Sequence, residues 1–385
     1  MKKIIQQAFF QLRNQPLLSV ITVLGTALAI ALIMVILIVY QAKTADYAPE
    51  VNRSRSLYVK WERTVYDKKD PNSAGHSRPS LWLVKEIFYP LTTPEAVTAT
   101  YEGGEVLVGT VGSDEEMNTP LMLTDAAFWK VYQFRFLAGK PFTEADFQSG
   151  MKQAVIAKSV ARRLFGGAEN AIGKDILVNF AAYTVCGVVD DVNRFCEFTW
   201  SEVYAPYTSN AIASEAEAGQ TSGNNVITIL ARSTDDFDAI RNEVARGVAQ
   251  INTTLGDMEL QLMGQPDNFR MQLNRKFANQ YENLNANFWK YGIMILIILL
   301  VPAINLSGLT NTRMRRRLEE LGIRKAFGAT RNELVWQVLN ENLVLTVMGG
   351  LLGLALAYLF LWLMSDWLLQ TVWGATATMN ASMVS

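Results

Sequence analysis

Three stretches of this chain carry no charged side chain at all: Leu17–Tyr40, Tyr291–Thr312 and Asn342–Ser365, of 24, 22 and 24 residues. A helix rises about 1.5 Å per residue, so roughly 20 apolar residues cross a hydrocarbon core about 30 Å thick. All three runs are long enough to span. The first is too long for the apolar stretch of a cleaved leader, which is about 7–15 residues, so it reads as an uncleaved anchor. Pro302 inside the second is tolerable where neighbouring groups satisfy the carbonyl it frees.

Charge sets the orientation. Lys2, Lys3 and Arg13 precede the first run with no acid among them. Between the second and third lie Arg313, Arg315, Arg316, Arg317, Arg324, Lys325 and Arg331 against Glu319, Glu320 and Glu333. Basic flanks stay on the cytoplasmic side. The expected plan is a cytoplasmic segment 1–16, spans at 17–40, 291–312 and 338–365, an external domain 41–289, a cytoplasmic segment 313–334 and an outer segment 366–385. The net charge of -1 gives no basic field for nucleic acid.

The external stretch reads as α+β. Strand patterns fall at Ser56–Trp61, Val106–Val111, Ala154–Ala157, Ile176–Phe180, Tyr183–Val189, Val203–Pro206 and Val226–Ala231. Helical patterns fall at Ala126–Gln133, Lys158–Phe165 and Asp235–Ile251, the last opening with Ser233 and acids in its first turn. Polar stretches at Asp67–Pro79 and Ile212–Asn224 read as loops. Residues 267–290 hold no glycine or proline and lead into the second run, which suggests a helical stalk; Gln41–Pro49 prolongs the first run in the same way.

Catalytic patterns are weak. His76, the one histidine, has no Cys or acid at ligand spacing and reads as solvated. "GAENAIGKD" at 167–175 has five residues between Gly167 and Gly173 and Asp175 where a phosphate loop needs Ser or Thr, so it reads as a tight connection. Asp190–Asp191 and Asp114–Glu116 read as turn and loop acids. No catalytic, cofactor or metal residues are expected in this chain. A disulfide between Cys186 and Cys196 is chemically permitted outside the membrane, though "YTVCGVV" places Cys186 in an apolar strand where a free thiol is the simpler reading. Gly349, Gly353 and Ala357 recur every four residues in the third run, a spacing that lets helices approach closely.

The segment between the second and third runs needs more than an orienting role. On a helical wheel for Arg313–Phe327, Met314, Leu318 and Leu321 share one face while Ile323 and Phe327 point nearly opposite, and the arginines spread all round. A helix lying flat on lipid separates one apolar face from one polar face. Gly328 is placed to stop the helix and Thr330 to cap the next. Such a basic turn suits a cleft of a cytosolic partner.

"EELGIRKAFGATRNELVWQVLNENLVL" followed by "GGLLGLALAY" resembles MacB/FtsX-type ABC transporter permeases. So do "TDAAFWKVYQFRFLAGKPFTEADF", "AVIAKSVARRLFGGAENAIGKDI" and "YTVCGVVDDV" of the outer domain. The resemblance implies a non-catalytic permease of the bacterial inner membrane with its large domain in the periplasm. It further implies pairing with a second copy or a related permease, and two cytoplasmic ABC ATPase subunits holding ATP and Mg. The residues that would meet the ATPase are Glu319, Glu320, Leu321, Gly322, Ile323, Arg324, Lys325, Phe327, Gly328, Ala329 and Thr330. A periplasmic adaptor or envelope protein is a further partner this architecture accommodates. By the same analogy 41–139 with 220–275 form a membrane-proximal lobe, 140–215 a distal lobe and 267–290 a stalk. An ATPase domain at the N-terminus and a fourth span, both known in the family, do not occur in these 385 residues, and truncation near the end is the expectation. The alternative reading is a membrane-anchored sensor or scaffold without an ATPase partner; an outer hydrolase lacks a nucleophile and base.

Overall fold

The computed structural model describes residues 16–110, 112, 116–279, 289–290, 292–300, 304, 322–323, 325–328 and 330–369. Contacts divide the chain into two units, Met1–Ala42 with Asn283–Leu368, and Lys43–Glu282 with Leu369–Ser385. Helix α1, Pro16–Thr44, covers the first apolar run and continues four residues past it.

The second unit is built on a ten-stranded mixed sheet. Along the chain its parts are β1 (Ser56–Val59), β2 (Glu62–Val65), β3 (Ala74–Pro79), β4 (Ala96–Thr110), β5 (Glu116–Thr124), α2 (Phe128–Val131), β6 (Phe136–Gly139), α3 (Glu144–Gln148), β7 (Gln153–Ala157) and α4 (Lys158–Phe165). They continue with β8 (Asp175–Val178), β9 (Ala181–Val189), β10 (Val203–Pro206), β11 (Ser222–Gly223), β12 (Asn225–Leu230), α5 (Phe237–Asn252), β13 (Glu259–Gln261), β14 (Asp267–Asn268) and α6 (Phe269–Asn274). The large sheet runs β14-β1-β12-β4-β5-β10-β7-β9-β6, with β8 against β4 and β9. The stretches read as two lobes thus share one sheet: β5 pairs with β10 in parallel from Val203↔Leu121, and β6 pairs with β9. Their apolar residues form one cluster from Leu57 to Phe269.

Local chemistry explains several elements. Ser233 accepts from Asp235 N–H while Asp236 accepts from Ser233 N–H, so a reciprocal cap starts the turn that leads into α5. Asp125, buried, accepts from Phe128 N–H at 3.0 Å and holds the start of α2, which is shorter than the expected 126–133 because Tyr132 is extended. The "GAENAIGKD" stretch is a short helix Ala168–Ala171 and a turn at Gly173, φ +75, entering β8. β4 is longer than the expected strand at 106–111, and β5 is a strand where the pattern predicts none. A bulge between Glu102 and Gly104, with Gly104 at φ +72, lets one strand pass through "EGGE".

A second, four-stranded sheet runs β11-β3-β2-β13. It corrects the reading of Asp67–Pro79 as loop throughout, since 74–79 is β3; His76 on it is exposed. Glu62 of β2 is fully buried and accepts from Thr64 Oγ1 at 2.7 Å, Ser77 Oγ at 2.5 Å and Ser222 Oγ at 3.2 Å. Burial pushes its carboxyl above the usual range, opposed by those hydroxyls and by His76. A raised folded-state value means that stability is greatest below the ordinary glutamate value of 4.5 and falls as pH rises through the higher one. Measured by denaturant unfolding, the stability difference between wild type and Glu62→Gln is therefore expected to shift in favour of the glutamine as pH rises above the ordinary glutamate value of 4.5. A difference flat in pH would refute this.

The expected stalk at 267–290 is interrupted. α6 ends at Asn274 and Arg275 is extended, φ -85 and ψ 113, although neither glycine nor proline breaks the segment. The cause is tertiary: the Arg275 side chain turns back onto Asp267 of β14. In the first unit, helix α7 spans Arg331–Leu369 and so begins before residue 338 and continues past 365. Val23–Thr44 and Leu343–Leu363 are the two candidate membrane spans among the described residues. Of the second apolar run, 292–300 and 304 are helical; the rest, like 370–385, lies outside the described residues.

Candidate functional site

Two regions bear on function, one in each unit. In the first unit, Gly322, Ile323, Lys325 and Ala326 are helical, with Phe327 and Gly328 in the turn that follows. Phe327 N–H donates to Ile323 O at 3.0 Å and Gly328 N–H to Lys325 O at 3.1 Å. Gly328 sits at φ +92, a left-handed backbone that ends the helical turn. Leu334 N–H donates to Thr330 O, so α7 starts immediately after Thr330. Ile323 is 59% and Phe327 88% exposed. Glu319, Glu320, Leu321, Arg324 and Ala329 lie outside the described residues.

Further along α7, Leu345, Gly349, Gly353, Ala357 and Leu361 are buried at every fourth residue. A Cβ on Gly349 would lie 2.9 Å from Thr26 Cβ, and one on Gly353 would lie 2.6 Å from Ala27 O. Both glycines therefore allow α1 and α7 to touch backbone to backbone.

The second region is the foot of the outer domain, where the chain enters from α1 and leaves after α6. Arg53, 1% exposed, is surrounded there. Its Nε donates to Glu50 Oε2 at 2.7 Å, Nη1 to Ala45 O at 2.7 Å, and Nη2 to Phe195 O at 2.9 Å and Cys196 Sγ at 3.5 Å. The guanidinium lies 4.4 Å from the Tyr47 ring centroid and 4.9 Å from that of Phe269. Glu50 also accepts from Phe198 N–H and Thr199 Oγ1 at 3.0 and 2.9 Å. Burial pushes the Glu50 carboxyl up, with Arg53 opposing; burial would lower Arg53, but Glu50, Cys196 and Tyr47 together outweigh it and hold the guanidinium above its ordinary range. Asp46 accepts from Ser54 N–H and Oγ and closes the turn around the pair.

A second buried arginine guards the exit. Arg275 donates from Nε and Nη2 to the two oxygens of Asp267, from Nη1 to Ala278 O at 2.8 Å and from Nη2 to Met263 O at 3.2 Å. Gln272 between them is 2% exposed, and neither of its amide atoms has a partner. The sequence reading missed this foot, because Gln41–Pro49 was expected to prolong the first helix, whereas that helix ends at Thr44 and the chain turns at 45–53 around Arg53. The usable signal was an acid and a base three residues apart, Glu50 and Arg53, in a stretch bounded by Tyr47 and Leu57.

The two cysteines are free thiols in this structure. Cys186 Sγ meets Ala154 O inside the sheet, whereas Cys196 is sealed under Arg53. Burial pushes both thiols up to about 12, so neither is reactive near neutrality. No cluster of metal-ligating side chains occurs among the described residues.

An α+β domain joined to a candidate membrane helix, with a basic turn ahead of a glycine-rich one, is the architecture of a membrane-anchored protein. The chain belongs to the family of the MacB-like periplasmic core domain, whose profile matches residues 19–246, and the FtsX-like permease C-terminal profile matches 292–384; it is an ABC transporter permease of the MacB/FtsX type. It is 23% identical over 345 residues to the uncharacterized ABC transporter permease YknZ of Bacillus subtilis, covering 88% of this chain and 81% of that one. With the macrolide export ATP-binding/permease protein MacB of Wolinella succinogenes identity is 25% over 359 residues, 91% of this chain but 52% of that one. With the pyoverdine export ATP-binding/permease protein PvdT of Pseudomonas syringae it is 27% over 235 residues, 60% and 34%. Among solved structures, the extracellular domain of YknZ aligns with TM-score 0.38 at 19% identity, covering 54% of this chain and 99% of that one. A domain of a permease protein from Porphyromonas gingivalis aligns with TM-score 0.42 at 16% identity, covering 56% and 92%.

Proposed function

We propose that this chain receives force from a separate cytoplasmic ATPase at residues 319–330 and delivers it to the outer domain. The observation that carries the reading is the turn itself. Ile323 and Phe327 are apolar, exposed and held on a short helical segment closed by Gly328 at the head of α7. Apolar side chains displayed on a rigid basic turn are the anchors an interface uses.

On this reading the protein is a multi-pass component of the bacterial inner membrane with 41–289 in the periplasm. It works with a second copy or a related permease, and ATP and Mg bind in the partner. Lipoprotein release, export with an adaptor, and control of wall hydrolases are the cargo classes the architecture accommodates. The test is purification of the tagged full chain from its own membranes. An ATP-hydrolysing subunit is expected to accompany it. If the chain keeps its native complexes and none hydrolyses ATP, the reading fails in favour of a sensor or scaffold.

A further inference from the structure

The foot contains two arginine centres more than 200 residues apart in sequence, and the structure joins them. Arg53 stacks on Phe269, the first residue of α6, and α6 leads directly to Arg275. Tyr58 of β1 stands opposite Asp267 in the β1–β14 ladder, and Asp267 is the carboxylate that holds Arg275. The Tyr58 ring packs on Phe198 at 4.3 Å and on Phe269 at 5.7 Å, while Phe198 N–H donates to Glu50. Each arginine also donates to backbone carbonyls of its own connecting segment, Ala45 and Ala278.

We propose that Arg53 and Arg275 yoke the entering and leaving segments of the outer domain, through Phe269 and the β1–β14 pair, into one body. Neither segment then shifts without the other. Backbone carbonyls held by a planar, multi-dentate guanidinium are fixed in direction as well as position, which a lysine would not achieve. The yoke deepens the force-delivery reading and rests on it for its purpose: a push on either connection reaches the same two strands. Its existence is testable without any ATPase.

The experiment is hydrogen exchange by mass spectrometry on the full chain in lipid nanodiscs. In Arg275→Met, exchange is expected to rise at 263–279 and also at 45–55, the latter by about tenfold, equivalent to a coupling of about 1.4 kcal/mol within one network. Adding Phe269→Leu, which touches neither ion pair itself but removes the ring on which Arg53 stacks, is expected to reduce the effect of Arg275→Met at 45–55 while leaving it at 263–279. Val160→Ala, a core deletion in α4, serves as the control for general loosening and is expected to leave 45–55 unchanged. Should Arg275→Met not fold, Arg275→Lys, which keeps the charge and loses the fork, is read in the same way. Unchanged exchange at 45–55, or an equal rise there in Val160→Ala, overturns the yoke. Absence of an ATPase partner would sink the transport reading and leave this result untouched.

Discussion

Phe327→Ala is expected to weaken capture of the ATPase subunit by roughly 30- to 1,000-fold, the effect of removing an interface anchor worth about 2–4 kcal/mol. The reason is its placement. Phe327 is 88% exposed, so its truncation costs the isolated chain nothing in packing. Its backbone is pinned by the bond to Ile323 O, so binding has to order the ring but not the main chain that carries it. Gly328→Val attacks the same turn differently. At φ +92 a β-branched residue is strained by about 1–3 kcal/mol, and relief of that strain would re-aim Phe327. Both variants should insert in the membrane normally. The measurement is ATPase retention on the purified chain at graded salt; equal retention in wild type and Phe327→Ala would remove residues 319–330 from the coupling role.

The second large effect concerns the foot. Arg53→Met should destabilise the outer domain by about 3–5 kcal/mol, because it strips the cation from a carboxyl that is itself fully buried. It also orphans the carbonyls of Ala45 and Phe195. For a unit of this size that corresponds to a fall in Tm of about 6–20 °C. The double variant Glu50→Leu/Arg53→Met should lose markedly less, since the mismatch rather than the missing pair carries most of the cost. Thermal unfolding followed by tryptophan fluorescence reads both. A single variant within about 1 kcal/mol of wild type would mean that water reaches this pair.

How far the residues announced this structure varies with what decides each element. α4 and β10 occupy the spans that periodicity predicts, Lys158–Phe165 and Val203–Pro206, because local pattern and tertiary need agree there. β5 was passed over since "EMNTPLMLT" opens polar and contains proline. Pro120 is accommodated because its carbonyl serves Ser201 Oγ and its missing N–H is not called upon. β3 was hidden by "AGHSRP", whose pairing with β2 is set by Glu62 reaching Ser77 rather than by apolar alternation. The break at Arg275 was illegible for a related reason. Absence of glycine and proline permits a helix, but a buried charge pair eight residues apart overrules it. Of the coupling turn, the pattern around Gly322–Thr330 was readable as a motif, whereas the foot depends on contacts between residues 50–53, 195–199 and 269, which no local window contains.

The unbroken large sheet has a geometric consequence. Nine strands lie side by side from β14 at the foot to β6. At about 4.8 Å per step the eight intervals add to about 40 Å measured along the sheet. A tilt of about 10° imposed on β14 and β1 would, if the sheet keeps its hydrogen bonds, sweep the far edge through about 7 Å. A small reorientation at one edge of the sheet would then be enlarged at the other, because the hydrogen-bonded strands turn as a single lever.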